Sequence, residues 1–310
     1  MPILSDCHMH TSFSADSSAS MDDQIGAAID AGMESICFTE HVDLDSPFAN
    51  APDQKFQIDY DAYRETYLRK KVRYAGKIKL LFGLELGINA SYAPLLQEYV
   101  SQHNNFDFII GSTHSSFGMD PYFDSFFEGK DPDMVYRHYF IDALANIRAF
   151  HDYDSYGHLD YIFRYGPFKA NGDLIFRSDG SLASKEIAKQ YEGIPSENLL
   201  DSPYTRRDST YLYEKFADVI DPILFELILQ GKALEVNTSP LRKGFAEPNP
   251  GKAILKKYHD FGGTLITIGS DAHQKEGVAF GFEKTTSLLK ECGFTQYAVF
   301  EGREAVMHRL

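Results

Sequence analysis

Tryptophan is absent from this chain of 310 residues, and cysteine is scarce: Cys7, Cys37 and Cys292 only. An odd, scattered set argues against a disulfide framework and for a reducing, cytoplasmic setting. None of the three forms a CxxC pair, which argues against a thiolate zinc site. There is no apolar run long enough to cross a bilayer, so no membrane association is expected. No basic segment followed by an apolar one is visible at the N-terminus, so no signal peptide is expected either. Positive charge is in deficit, with 30 Lys and Arg against 45 Asp and Glu, a formal net charge of −15. Such a field repels a polyanion, and a nucleic-acid partner is not expected. Carboxylates that bind metal ions would account for part of the excess.

What is present is ordinary for a globular protein: 43% hydrophobic and 24% charged residues. Short apolar runs alternate with segments of helical period. Strands are expected at 4–7, 35–39, 78–85, 106–112, 153–157, 233–237 and 264–269. Helices are expected at 20–32, 59–74, 93–102, 132–150, 208–230 and 252–261, with a βα tail after the last strand. Residues 167–205 have weak periodicity and read as an insertion in one domain spanning 1–310. This β-α alternation implies parallel strands covered by helices. It fits an open doubly wound sheet or a closed barrel equally well, and the placement of the chemistry decides for the barrel.

That chemistry begins at His8-Met9-His10. Residues two apart on a strand share a face, so the two imidazoles can stand side by side at a strand's C-terminal end. Alone, the pair is as consistent with one core and one surface histidine. The rest of the chain supplies company. Of the 11 histidines, six follow or end an expected strand: His8, His10, His41, His114, His158 and His273. Glu85 and Asp271 sit in the same way. Active sites of α/β barrels are assembled from strand C-termini, and a buried carboxylate such as Glu85, in a run bounded by glycines, needs a partner. Asp271-Ala272-His273 repeats the two-apart spacing at the far end of the chain. The reading is a catalytic metal site of imidazole and carboxylate.

With those motifs on the page, the sequence resembles the polymerase-and-histidinol-phosphatase (PHP) superfamily, in particular its histidinol-phosphate phosphatase branch. The matched stretches are His8-Met9-His10 with Asp16, Thr39-Glu40-His41, Gly83-Leu84-Glu85, Gly111-Ser112-Thr113-His114, Gly157-His158-Leu159-Asp160 and Ser270-Asp271-Ala272-His273. The resemblance implies a distorted TIM-like (β/α)7 barrel with the metal site at the strand C-termini, holding three divalent ions (zinc, iron or manganese). By analogy His8, His10, Glu85 and Asp271 hold one. Glu85 bridges to a second, completed by His114 and His158, and Asp16, His41 and His273 hold the third. Asp16 stands where many members carry histidine, and a carboxylate there favours harder ions.

The expected reaction is hydrolysis of a phosphate monoester by in-line attack of hydroxide, with Asp271 taking and passing on a proton. Arg164 is the expected cation at the phosphate, and Arg242 a second substrate contact. The partner is therefore a small phosphorylated substrate, most specifically L-histidinol phosphate. A nucleotide or sugar phosphate is the alternative, and a metal-dependent amidohydrolase a more distant one. The sequence leaves the physiological metal, the leaving group and the oligomeric state open.

Overall fold

The computed structural model describes residues 2–44, 56–165, 167–170, 174–177, 210–243 and 245–310. In chain order its elements begin with β1 (Ser5–Asp6), α1 (Met21–Asp30), β2 (Ser35–Val42), α2 (Tyr60–Arg73), β3 (Lys79–Gly87) and α3 (Ala93–Gln102). They continue through β4 (Phe108–Ser112), α4 (Pro132–Ala149), β5 (Ser155–Tyr156) and a hairpin of β6 (Pro167–Ala170) and β7 (Leu174–Arg177). After α5 (Thr210–Leu229) come β8 (Ala233–Asn237), α6 (Ser239–Arg242), α7 (Lys252–Asp260) and β9 (Ile266–Gly269). The last are α8 (Phe282–Cys292), β10 (Gln296–Glu301) and β11 (Glu304–Arg309).

Local chemistry sets the helix ends. Ser20 caps α1 by accepting the Asp23 N–H at 3.1 Å. Met21, Ile25 and Ala28 then fall on its buried face, and Gly32 takes the left-handed conformation that stops it. Asp59 caps α2 through the Ala62 N–H at 3.0 Å. Asp131 caps α4 with proline just inside.

Seven strands pair in parallel in the order β1-β2-β3-β4-β5-β8-β9. All eight residues of β2 are buried, as are all of β3 except Lys79. Burial on both faces is what a parallel sheet under helices requires, and it explains the uninterrupted apolar runs. The sheet closes on itself between its two outermost strands. Cys7 N donates to Ile268 O (3.0 Å), Asp271 N to His8 O (2.8 Å) and His10 N to Ala272 O (2.9 Å). The buried Asp6 carboxylate accepts the Ser270 and Ala279 N–H groups at 2.8 and 2.9 Å. The Gln24 amide donates to His10 O and Ala272 O at 2.8 and 2.9 Å, sewing both sides of the seam.

The barrel expected from the sequence is therefore present, with three differences. β2 and β3 run past the expected ends, so His41 lies within its strand rather than after it, and Glu85 within its strand rather than at its end. The tail is α8 followed by the antiparallel β10–β11 hairpin, not a βα unit. The insertion at 167–205 falls outside the described residues apart from the β6–β7 hairpin. Among the described residues no helix is long and apolar enough to cross a membrane.

Candidate metal centre

β3 delivers the Glu85 carboxylate into a cluster of five imidazoles. One oxygen, Oε2, faces His8 Nε2 at 3.0 Å, His41 Nδ1 at 3.2 Å and His10 Nε2 at 3.4 Å. The other, Oε1, faces His158 Nε2 at 2.9 Å and His114 Nε2 at 3.1 Å, and accepts the Ser112 hydroxyl at 2.7 Å. Asp271 Oδ1 lies 3.5 Å from His10 Nε2, 3.7 Å from His8 Nε2 and 3.5 Å from His273 Nδ1. At the solvent side, Asp16 Oδ2 is 3.0 Å from His273 Nε2 and 3.6 Å from His41 Nε2. All nine residues expected as ligands thus meet in one place, drawn from both ends of the chain.

Two features of the backbone make the room. A Cβ at Gly269 would collide with the His8 side chain, and one at Gly87 with the Asp43 carboxylate. Asp271 adopts a left-handed φ of 54°, a conformation costing a non-glycine residue on the order of 1–3 kcal/mol and concentrated at functional sites.

Charge in the cluster is strongly coupled. Burial disfavours an ionised Glu85, but His8, His41 and His114 hold it well below the ordinary carboxylate range. Burial likewise opposes a charged His8, yet Glu235, Glu85 and Asp271 lift it well above the usual imidazole value. Burial, reinforced by His10, brings His41 down to about 4.

Hydrogen bonds alone do not satisfy this arrangement. Three imidazole nitrogens crowd Glu85 Oε2, which has two lone-pair directions. The buried Nδ1 of His41 sits at 3.2 Å from that oxygen without hydrogen-bond alignment and has no other partner among the described residues. His8 Nε2 and His10 Nε2 face each other at 3.0 Å. Nitrogens converging on one another and on carboxylates fit the ligand shell of divalent cations. Four overlapping triads bring ligand atoms within 4.8 Å: His8, His10 and Asp271; Glu85, His114 and His158; His10, His41 and His273; His41, Asp43 and His114. The first two match groupings implied by the resemblance. In the third, His10 rather than Asp16 joins His41 and His273, and the fourth adds Asp43.

Sequence reasoning missed the groups behind the imidazoles. Glu235 Oε1 lies 2.5 Å from His8 Nδ1, and its Oε2 accepts the His158 N–H at 2.8 Å. Asp43 lies 3.0 and 3.2 Å from His114 Nδ1. Such carboxylates orient metal-binding histidines. Asp43 could have been found, since it stands two residues beyond His41, the same spacing as His8 and His10. Glu235 carries no such signal.

The cluster lines a cavity of about 550 Å³. Arg164, buried beside it, donates from Nε to Asn249 Oδ1 (2.6 Å), from Nη2 to Asn237 Oδ1 (3.1 Å) and from Nη1 to Asp271 Oδ2 (3.4 Å). Arg242 lines the same cavity, but its Nη1 and Nη2 donate to the Ser270 and Asp271 carbonyls at 2.6 and 2.9 Å. It braces the turn that bears Asp271 and His273 while keeping its place in the cavity wall. The cavity wall also holds Asp120, Tyr122, Tyr161 and Tyr165. Burial pushes the Asp120 carboxyl up to about 6. Sequence reasoning did not single out these four.

Comparison with known proteins agrees with this geometry. The PHP domain family model matches residues 6–239. A histidinol-phosphatase of Lactococcus lactis is 28% identical over 308 residues, covering 96% of this chain and 94% of that protein. A relative from Clostridium acetobutylicum named "Probable histidinol-phosphatase" is 27% identical and covers 93% of both. Among solved structures, histidinol phosphate phosphatase from Lactococcus lactis, complexed with zinc, L-histidinol and phosphate, aligns with a TM-score of 0.76 at 27% identity. The alignment covers 97% of this chain and 98% of that one.

Proposed function

The chain belongs to the PHP domain family, and from that premise we propose that it hydrolyses L-histidinol phosphate, a phosphomonoesterase step of histidine biosynthesis, in the cytoplasm. The observation that supports this most is the convergence of five imidazoles on the two oxygens of one buried carboxylate, in a cavity shared with Arg164 and Asp120. Residues 1–310 are read as one domain with an insertion at 167–205.

His8, His10, Glu85 and Asp271 would hold one ion, Glu85, His114 and His158 a second, and Asp16, His41 and His273 a third. Bound divalent cations (zinc, iron or manganese) supply Lewis acidity toward water and neutralise phosphate oxygens. The remaining work falls to the chain's own groups. Asp271 stays ionised: burial opposes its charge, but His8, His10, His273 and Arg164 outweigh that and hold it well below the ordinary range. Its Oδ2 is fixed by Asn237 Nδ2 (3.2 Å) and the Ser239 hydroxyl (3.1 Å). So held, Asp271 is a weak base that releases a proton readily, which suits it to taking the proton of the attacking water only transiently and passing it on. Arg164 is oriented by two asparagines, so its charge is aimed before substrate arrives, and it pairs with the phosphate. Asp120 and the tyrosines beside it offer an acidic, aromatic wall, which suits a cationic amino alcohol bearing a flat ring.

Turnover of histidinol phosphate against nucleotide, sugar and aryl phosphates and simple amides tests the reading, together with elemental analysis of chelator-free protein. Histidinol phosphate should be preferred, and about three divalent ions should be found per chain, as a centre serving both nucleophile and leaving group needs more than one. A strong preference for a nucleotide or sugar phosphate overturns the substrate. One ion or fewer overturns the multinuclear centre.

A further inference from the structure

Glu40, beside His41 on β2, is completely buried, and nothing in the proposed chemistry uses it. It accepts three hydrogen bonds. Thr11 N–H and the Ser14 hydroxyl donate to Oε2 at 3.0 and 2.6 Å, and the Thr11 hydroxyl donates to Oε1 at 2.6 Å. Ser14 connects this carboxylate to the cluster. Its single proton is committed to Glu40, so its oxygen can only accept from its other neighbours. One of these is the His41 N–H at 3.0 Å. The other is His10 Nδ1 at 3.2 Å. Facing an acceptor, Nδ1 must carry the ring proton. In the neutral ring His10 Nε2 is then bare, and it is the nitrogen that lies 3.4 Å from Glu85 and 3.5 Å from Asp271.

We propose that Glu40 is a positioning residue which, through the Ser14 hydroxyl, holds His10 in the tautomer whose bare Nε2 receives a metal ion. The inference rests on the metal reading above. It assigns His10 the same device that His8 has in Glu235 and His114 in Asp43, with a hydroxyl interposed because Glu40 does not reach the ring directly. A carboxylate or carbonyl behind a metal-bound imidazole is a general means of fixing ring and tautomer.

The polarity of the chain gives the test its direction. In Glu40→Gln, the Thr11 N–H and Ser14 hydroxyl both need an acceptor on the same side, so the amide oxygen turns there and the amide nitrogen donates to the Thr11 hydroxyl. Ser14 keeps its polarity. In Ser14→Ala, His10 Nδ1 loses its acceptor. In Glu40→Met, the Ser14 proton is freed to donate to Nδ1, which moves the ring proton to Nε2. Thr11→Val removes an anchor of Glu40 and leaves the link to His10 intact.

Zinc-loaded full-length protein and each variant are titrated with a chelator of known affinity, counting the ions retained, with thermal unfolding followed in parallel. Wild type, Glu40→Gln and Thr11→Val should retain the same number of tightly held ions. Ser14→Ala should hold one ion about 10- to 100-fold more weakly, the range for loss of such support, while the others are unchanged. Glu40→Met reads the same effect if Ser14→Ala does not accumulate as folded protein. Equal retention in all variants overturns the role of Glu40 while the metal reading stands. Loss in Thr11→Val as large as in Ser14→Ala also overturns it, because the network would then be scaffolding only. A wild type that retains no zinc overturns the metal reading itself.

Discussion

Replacing Glu235 by glutamine changes one atom in a buried side chain, and the structure predicts that the change is far from neutral. Glu235 Oε2 receives two donors, the His158 N–H at 2.8 Å and the Asn237 amide at 3.3 Å, while Oε1 receives His8 Nδ1–H at 2.5 Å. A glutamine must turn its oxygen to the two donors, which sets its NH2 group against His8 Nδ1. Two outcomes remain. The ring keeps its proton on Nδ1, and two buried donors face each other. Alternatively, the proton moves to Nε2, the nitrogen aimed at Glu85 and the metal. The first leaves a buried donor unsatisfied, costing roughly 1–3 kcal/mol. The cheaper outcome sets the effect, so metal affinity should fall by roughly 5- to 150-fold, at 1.36 kcal/mol per tenfold. Chelator competition on the zinc-loaded variant measures it, with the melting temperature as a control for folding. The same substitution at Glu40 is expected to be silent, so the two glutamine variants differ in sign of outcome for one reason. Wild-type zinc affinity in Glu235→Gln would refute the tautomer argument for His8.

Three further outcomes are expected. Glu85→Gln should lose more than one ion and at least 10²–10³ in kcat, the scale for removing one preorganised charged contact; near-normal turnover would make Glu85 structural. Arg164→Ala should lower kcat/KM by about 2–4 kcal/mol with metal content unchanged in elemental analysis, and loss of metal would show that Arg164 supports the centre instead. Asp120, lifted to about 6 by burial, is ionised only above that pH, so kcat/KM for histidinol phosphate should fall as pH drops through about 6 more steeply than for an aryl phosphate whose organic part carries no charge. Asp120→Asn should remove the difference. Because the folded-state value is the higher one, its contribution to stability is full below the unfolded value of about 4 and is lost as pH rises through about 6; pH-dependent melting of Asp120→Asn checks the sign.

The first and last ligand pairs were legible from their matching two-residue spacing, although both lie just beyond β1 and β9 and Asp271 is left-handed rather than extended. The strand at Ala233–Asn237 is also read correctly to the residue, since its apolar run is bounded by polar turns. Glu85 and His41 were assigned to strand ends because polar residues ordinarily close a strand. In β2 and β3 such residues stay in the ladder, as their side chains find partners inside the barrel. What could not be read is the support behind the ligands. Glu40, Glu235 and Asp120 acquire meaning only from neighbours as distant in sequence as Ser14, His8 and Tyr161. The closing β10–β11 hairpin was missed because a helix followed by two short strands has no period that distinguishes it from a βα unit.

The seam between β1 and β9 bears on how the site comes into being. Until Asp6 grips the amides of Ser270 and Ala279, and Gln24 joins the carbonyls of His10 and Ala272, His8 and His10 stand on one free edge of an open sheet and Asp271 and His273 on the other. Emergence of the sheet from β2 to β8 brings together only Glu85, His41, His114 and His158. The contact that completes the centre spans more than 260 residues of sequence, and loop-closure entropy makes such contacts late ones in folding. A half-made barrel therefore offers an ion few of its ligands, and tight capture of the metal serves as a report that the two edges have met.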